Sequence, residues 1–254
     1  VKVHIITIFP EYFEGIIKTG IIKIAQKKGV LDLRILNLRD FTDDPNHQVD
    51  DYPYGGGPGM IMKPEPIFRA VMQVKEENSK VILLSPQGKV FNQKMAFELS
   101  KLPHLIFICG RYKGVDGRVR EYLCDWEISI GDYILSGGEA ACAVILEAVV
   151  RLIKGVVGDY ESIETDSFVS GLLDATYYTR PREFMGYKVP DVLLSGNHEE
   201  IRKWRRKSAL LNTLKNRPDL LKTTILSEED QKLLKEIEEE LKCKITLLNL
   251  MAAK

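Results

Sequence analysis

Short, continuously apolar runs recur in the first part of the chain. Each gives way to glycine, proline or polar residues, and stretches of helical periodicity lie between them. The strand-like runs cover residues 1–9, 31–37, 81–85, 105–109 and 126–130. Helical patterns cover 11–28, 65–77, 93–101 and 118–124, and a longer one covers 139–154. This alternation predicts an α/β fold built on a mainly parallel sheet with helices on both faces. The pattern breaks at GVVGDYESIET, residues 155–165, a polar, acidic stretch that reads as a linker or mobile loop. Beyond it no strong strand run remains. Asn197 precedes a helical pattern with Glu199 and Glu200 in its first turn, where the helix dipole favours carboxylates. Ser227 with Asp230 opens another, as a looser form of the capping box. The predicted division is a larger domain over 1–157, a flexible linker over 158–165 and a small, mostly helical domain over 166–254.

Charge narrows the function only locally. Lys+Arg and Asp+Glu both number 36, so the net charge is zero and does not announce a nucleic-acid partner. The charges are nevertheless segregated. Arg202, Lys203, Arg205, Arg206, Lys207, Lys215, Arg217 and Lys222 face a single acid, Asp219, between residues 201 and 222. Acids then dominate 228–240. A basic helix face suits phosphate contacts, which carry affinity rather than sequence; a solvated face paired with the acidic helix suits the same residues. The four cysteines form no C-x-x-C pair and the four histidines are dispersed, so no metal site is legible. No signal peptide or membrane-length apolar run is present, and the expectation is a soluble, cytoplasmic protein.

Three of the strand-like runs end in glycine-bearing loops: SPQG (85–88), CGRYKGVDG (109–117) and SIGDYILSGGE (129–139). They lack both the phosphate-loop lysine and the dinucleotide spacing of glycines. Ligands of open α/β sheets bind beyond the carboxyl ends of the strands, and glycine lets main chain approach them closely. The three loops together therefore point to one pocket made largely of main chain. A fourth stretch, DDYPYGGGPGMIM (50–62), cannot be helix or strand interior. It reads either as a flexible surface loop or as a platform for a flat base, bordered by Tyr52, Tyr54, Met60 and Met62.

The set DDYPYGGGPGM, LSPQG, CGRY, SIGDYILSGGE, TDSF, GLLD, YTRP and LLSGNHEEIRKWR, in this order over almost the whole chain, closely resembles the bacterial tRNA (guanine-N1)-methyltransferases. The resemblance implies a fold that the periodicity does not reveal. The larger domain would be of the SPOUT methyltransferase type, with a deep trefoil knot in its C-terminal half, an exception to the rule that chains do not thread their own loops. It implies S-adenosyl-L-methionine as methyl donor, a homodimer whose active sites draw on both subunits, and the guanine immediately 3′ of the tRNA anticodon, position 37, as substrate.

Carried over position by position, the donor would be held by Leu84, Ser85, Pro86 and Gly88, by Gly110 and Tyr112, and by Ile130, Gly131, Asp132, Tyr133, Ile134, Leu135, Gly137 and Gly138. Asp166 matches the proposed base that removes the guanine N1 proton, and Arg151 matches the arginine that stabilises the charge left on O6. Substrate contacts would come from Asp50, Tyr54, Gly55, Gly56, Gly57, Pro58 and Gly59, which recognise an extruded guanine, and from Arg202, Arg205 and Arg206 on the backbone phosphates. Lys113 stands where many relatives carry glutamate and is not counted among the catalytic residues. Relatives have been linked to magnesium, but no ligand set in this sequence identifies a site. Two rival classes stay open on the residues alone: a nucleotide-dependent transferase with GGGPG as phosphate cradle, and a non-catalytic RNA-binding module.

Overall fold

A computed structural model describes residues 1–158, 163 and 165–252. The chain divides into two compact units, Val1–Tyr160 and Glu161–Lys254. Most of the linker expected over 158–165 lies outside the described residues.

In the first unit the order is β1 (Lys2–Thr7), α1 (Glu14–Lys18), α2 (Gly20–Lys27), β2 (Asp32–Asn37), β3 (Asp50–Asp51), β4 (Ile61–Met62), α3 (Pro64–Val74), β5 (Ser79–Val90), α4 (Gln93–Ser100), β6 (His104–Cys109), α5 (Gly117–Tyr122), β7 (Trp126–Ser129) and α6 (Glu139–Val150). Five strands pair in parallel in the order β2-β1-β6-β5-β7. All of β6 is buried, which is why its sequence is a continuous apolar run rather than an alternating one. Side chains alternate between faces. Ile6, Val81, Leu83, Ile106 and Ile108 form one core with Ile67, Ala70 and Val71 of α3 and Val119 of α5. Ile5, Ile82 and Phe107 fall on the opposite face and are fully buried. There α6 packs on β6 and against α2 and α4. Each buried Ile, Leu or Phe contributes about 1.5–3 kcal/mol, so this double layer is the rigid base for the loops at the sheet's carboxyl edge.

Three local features depart from the periodicity. The helix expected over 11–28 is broken at Thr19, whose backbone is extended and whose hydroxyl bonds back to Gly15 O at 2.7 Å. Gly20, at a left-handed φ of 56°, restarts it. The helix expected to reach 154 stops at Val150, where i→i+3 bonds from Leu152 and Ile153 tighten the last turn. The strand expected over 81–85 runs on to Val90. Leu84 and Lys89 both oppose Ile128, so residues 85–88 leave the ladder and rejoin it. Gly88 permits the return: a Cβ there would collide with the main chain of Glu127 and Ile128.

The second unit contains the hairpin strands β8 (Glu183–Phe184) and β9 (Tyr187–Lys188), then α7 (His198–Asn216), α8 (Pro218–Thr223) and α9 (Glu228–Ala252). Leu172, Leu210, Leu233 and Ile237 make its core. Asn197 caps α7 by accepting from the Glu200 N–H at 3.3 Å. Ser227 and Asp230 form a reciprocal capping box, Asp230 N to Ser227 Oγ at 3.1 Å and Ser227 N to Asp230 Oδ2 at 3.0 Å. Asp230 is buried, and Arg206 of α7 donates to it through Nε at 2.6 Å and through its second nitrogen at 2.9 Å. Arg206 first, then the Ser227 main chain and hydroxyl, hold the Asp230 carboxyl down to about 2 from 3.8. Because the folded value is depressed, the stabilisation is present above the unfolded value and is lost as pH falls from about 4 through about 2. Linkage puts it at about 2 kcal/mol. Acid titration of the denaturation midpoint should show this loss in the native chain and its absence in Asp230→Asn.

Candidate active site

The three glycine-bearing loops meet at the carboxyl ends of β5, β6 and β7. They enclose a cavity of about 380 Å³, walled by Leu84, Ser85 and Pro86, by Gly110 and Tyr112, and by Ile130, Gly131, Tyr133, Ile134, Leu135, Gly137 and Gly138. Gln87, Arg111, Ile128, Ser136 and Ala141 also line it. Gly88 and Asp132 do not line the cavity; Gly88 serves the β5–β7 crossing instead.

Close main-chain approach builds this pocket. Gly138 N donates to Gly110 O at 2.8 Å, and Arg111 pairs with Gly137 in an antiparallel bridge. A Cβ on Gly138 would lie 2.8 Å from Cys109 Cα, and one on Gly137 would strike the Arg111 side chain. The two glycines are therefore required by loop-on-loop packing and contribute only main chain to the wall. In the third loop, Ser129 Oγ donates to Gly131 O and accepts from Gly131 N. The Tyr133 ring folds over Gly131, which has a φ of 148°, and its hydroxyl donates to Ile130 O at 3.2 Å.

Beneath the pocket sits a carboxylate that the sequence reading missed. Glu139, the first residue of α6, is 1% exposed. Its Oε1 accepts from Thr7 Oγ1 at 2.7 Å, and its Oε2 accepts from Arg111 Nε at 3.0 Å. The Thr7 hydroxyl also accepts from Phe9 N, and the Arg111 guanidinium lies 4.5 Å from the Phe9 ring centroid. One buried acid thus ties the ends of β1 and β6 to the start of α6. The available signal was a charged residue opening a mostly apolar helix, alongside an arginine in a neighbouring glycine loop. Cys109 is buried beside Cys142, and burial first, then that neighbour, pushes its thiol well above the ordinary range. It offers no thiolate nucleophile at neutral pH.

The stretch 50–62 is a hairpin, with Asp50 opposite Met62 and Asp51 opposite Ile61. Its stem joins the second glycine-bearing loop: Lys113 N donates to Met60 O, Met62 N to Gly114 O and Asp116 N to Met62 O, each at 3.0 Å. Its tip carries Tyr54, Gly55, Gly56, Gly57, Pro58 and Gly59, with all four glycines at positive φ and Tyr54 fully exposed. These residues and Asp50 lie outside the cavity wall, but main chain couples the hairpin to it. Lys113 packs its stem against Gly59 and so braces the hairpin.

Arg151 follows the last turn of α6 and is half-buried. Asp166, half-buried like Ser167, belongs to the second unit, in a turn where its carbonyl accepts from Val169 N at 3.3 Å. On α7, Arg202 bonds Glu199 and Glu229, Arg206 bonds Asp230, and Lys207 bonds Glu236 and Glu240. Arg205 instead stands 5.6 Å from the Tyr177 ring centroid. Among the described residues no group of three or more His, Cys, Asp or Glu converges as a metal site. None of the helices described is long and apolar enough to cross a membrane.

Removing the buried acid should loosen the whole edge. Glu139→Gln strands the Arg111 charge and is expected to cost about 2–4 kcal/mol in urea denaturation. Thr7→Val, which removes one hydrogen bond to the same carboxylate, should cost about 1 kcal/mol.

Residues 1–223 match the family described as tRNA (Guanine-1)-methyltransferase TrmD. The chain is 58% identical over 241 residues to the tRNA (guanine-N(1)-)-methyltransferase of Dictyoglomus turgidum, covering 95% of this chain and 98% of the relative. It is 56% identical over 233 residues to the enzyme of that name from Carboxydothermus hydrogenoformans, covering 92% of each chain. To the Bacillus cereus enzyme of that name it is 50% identical over 241 residues, covering 94% of this chain and 99% of the relative. With the glycine loops and the hairpin joined in one edge of one sheet, the chain belongs to the tRNA (guanine-N1)-methyltransferase family.

Proposed function

We propose that the protein moves a methyl group from S-adenosyl-L-methionine to N1 of the guanine immediately 3′ of the tRNA anticodon, position 37. The observation that carries this reading is the three-loop cavity in a chain of this family. Its volume of about 380 Å³ lies in the range of small-ligand pockets. Its wall combines glycine main chain with Leu84, Ile128, Ile130, Ile134 and Leu135. Such a wall suits an adenosine with an apolar sulfonium arm; Arg111, Lys113 and Arg120 also line it, but none of its loops has the G-x-x-x-x-G-K spacing of a phosphate cradle. Within it, Gly110, Ile130, Gly131 and residues 133–135 would carry the main-chain hydrogen bonds to the donor. When bound, the donor supplies an electrophilic methyl on a sulfonium that leaves as a neutral thioether, so no general acid is needed.

The remaining chemistry belongs to the chain. Guanine N1 carries a proton at neutral pH and is a poor nucleophile in that state. Asp166 would take this proton as the N–C bond forms. The charge left on O6 would be stabilised by Arg151. Holding N1 in line with the transferring carbon supplies much of the remaining rate. Guanine would be recognised by Asp50 and the Tyr54–Gly59 hairpin tip as an extruded base. The family resemblance adds a knotted SPOUT topology, a homodimer with shared active sites and a cytoplasmic setting to the proposal.

The experiment is methyl transfer from labelled donor to an unmodified tRNA transcript. Asp166→Ala is expected to lower kcat by a factor of about 10²–10⁴ or more while calorimetry shows unchanged donor binding. Near-normal turnover in that variant would remove Asp166 from the role of base.

A further inference from the structure

The second unit contains a cavity of about 480 Å³ that the methyl-transfer chemistry does not use. Tyr177, Tyr178 and Arg180 from the segment after Leu173, Arg182 before β8, and Arg205 from α7 line it. The tyrosine rings are braced but not covered. Tyr177 has the Arg205 guanidinium 5.6 Å from its centroid, and its hydroxyl donates to Asp174 at 3.1 Å. Tyr178 tilts against Trp204 with centroids 6.2 Å apart. Yet Tyr177 is 57% exposed and Tyr178 50% exposed. Holding two half-bare aromatic rings in fixed orientation leaves apolar faces in water unless something flat lies on them.

The charges around the cavity differ from those elsewhere on α7. Arg202, Arg206 and Lys207 are each tied to carboxylates of Glu199 or of α9. They fix α7 to α9, and a phosphate would have to displace those acids to reach them. Among the described residues, Arg180, Arg182 and Arg205 have no carboxylate partner, and all three are exposed. Three unpaired guanidinium forks beside two fixed phenol rings match the two halves of a nucleotide: phosphate oxygens for the forks, a base for the rings.

We propose that this cavity is a subsite for one unpaired nucleotide of the RNA substrate. Its base stacks on Tyr177 or Tyr178, and its flanking phosphates are taken by Arg180, Arg182 and Arg205. The inference rests on the reading that the substrate is tRNA, and it shifts the affinity of the second unit from the paired face of α7 to this cavity. Stacking on a ring accepts any base, so the subsite contributes affinity and register and leaves the choice of guanine to the first unit.

The test measures tRNA binding and methyl transfer separately, in the full chain. The double variant Arg180→Ala, Arg182→Ala is expected to weaken tRNA binding at least tenfold. It should lower the slope of log affinity against log salt by about two, one for each phosphate no longer neutralised. It should raise the KM for tRNA with kcat and donor affinity unchanged. Tyr178→Ala should weaken binding by roughly tenfold without changing the salt slope, whereas Tyr178→Phe, which keeps the ring, should bind normally. Arg202→Ala should alter the salt slope little. An unchanged salt slope and affinity in the double variant would overturn the subsite. So would a free nucleoside monophosphate that competes with tRNA at micromolar concentration, because the cavity would then hold a mononucleotide rather than an RNA segment. If wild type binds tRNA with these differences but transfers no methyl group, the subsite stands and the assigned reaction falls.

Discussion

A single buried carboxylate organises the working edge of the first unit. Glu139 takes a hydrogen bond from Thr7 at the end of β1 and an ion-paired hydrogen bond from Arg111 just after β6. It does so from the first turn of α6, where the helix dipole adds to the preference for negative charge. With that anchor in place, Gly137 and Gly138 are pressed onto Cys109–Arg111 closely enough to exclude any side chain. At these two glycines the cavity wall is main chain because nothing larger fits. Both the cavity and the coupling of the 50–62 hairpin to it depend on the same loop, 110–116, being held in place.

The broad architecture was legible in the residues. The fully apolar run of β6 and the periodic stretches between runs report a parallel sheet covered on both faces, because burial on both sides leaves no polar positions to alternate. The order of the strands was not legible, since nothing in a short apolar run names its neighbour. The β5 excursion was hidden for a related reason: SPQG looks like an ordinary strand end, and only the pairing of both Leu84 and Lys89 with Ile128 shows that the strand resumes. At Thr19 a local hydroxyl bond outweighs a helical period that continues on both sides of it.

The site was legible to the extent that glycine spacing reports backbone geometry. Most of the expected donor residues line one cavity, whereas Gly88 has a packing role that spacing alone could not separate from a binding role. What stayed hidden was long-range side-chain pairing. Glu139 lies 132 positions from Thr7 and 28 from Arg111, so no local pattern announces the triad. The basic face of α7 shows the converse: a charge run that suits phosphates is, for Arg202, Arg206 and Lys207, paired with acids up to 33 residues away. The reciprocal Ser227–Asp230 cap, being local, was readable in outline.

Lys113 shows how a loop side chain can brace a neighbouring hairpin. Its main chain keeps the bond to Met60, and its side chain lies on Gly59 at the hairpin tip. The position thereby braces the 50–62 hairpin, and the proposed chemistry is left to Asp166 and Arg151. The central claim, direct transfer to a purine ring nitrogen, is tested most directly by digesting a reacted tRNA transcript to nucleosides and identifying the methylated product. The account predicts 1-methylguanosine, arising from the position just 3′ of the anticodon. Methylation at another guanine atom, at another residue, or none at all with donor and tRNA both bound, would contradict it.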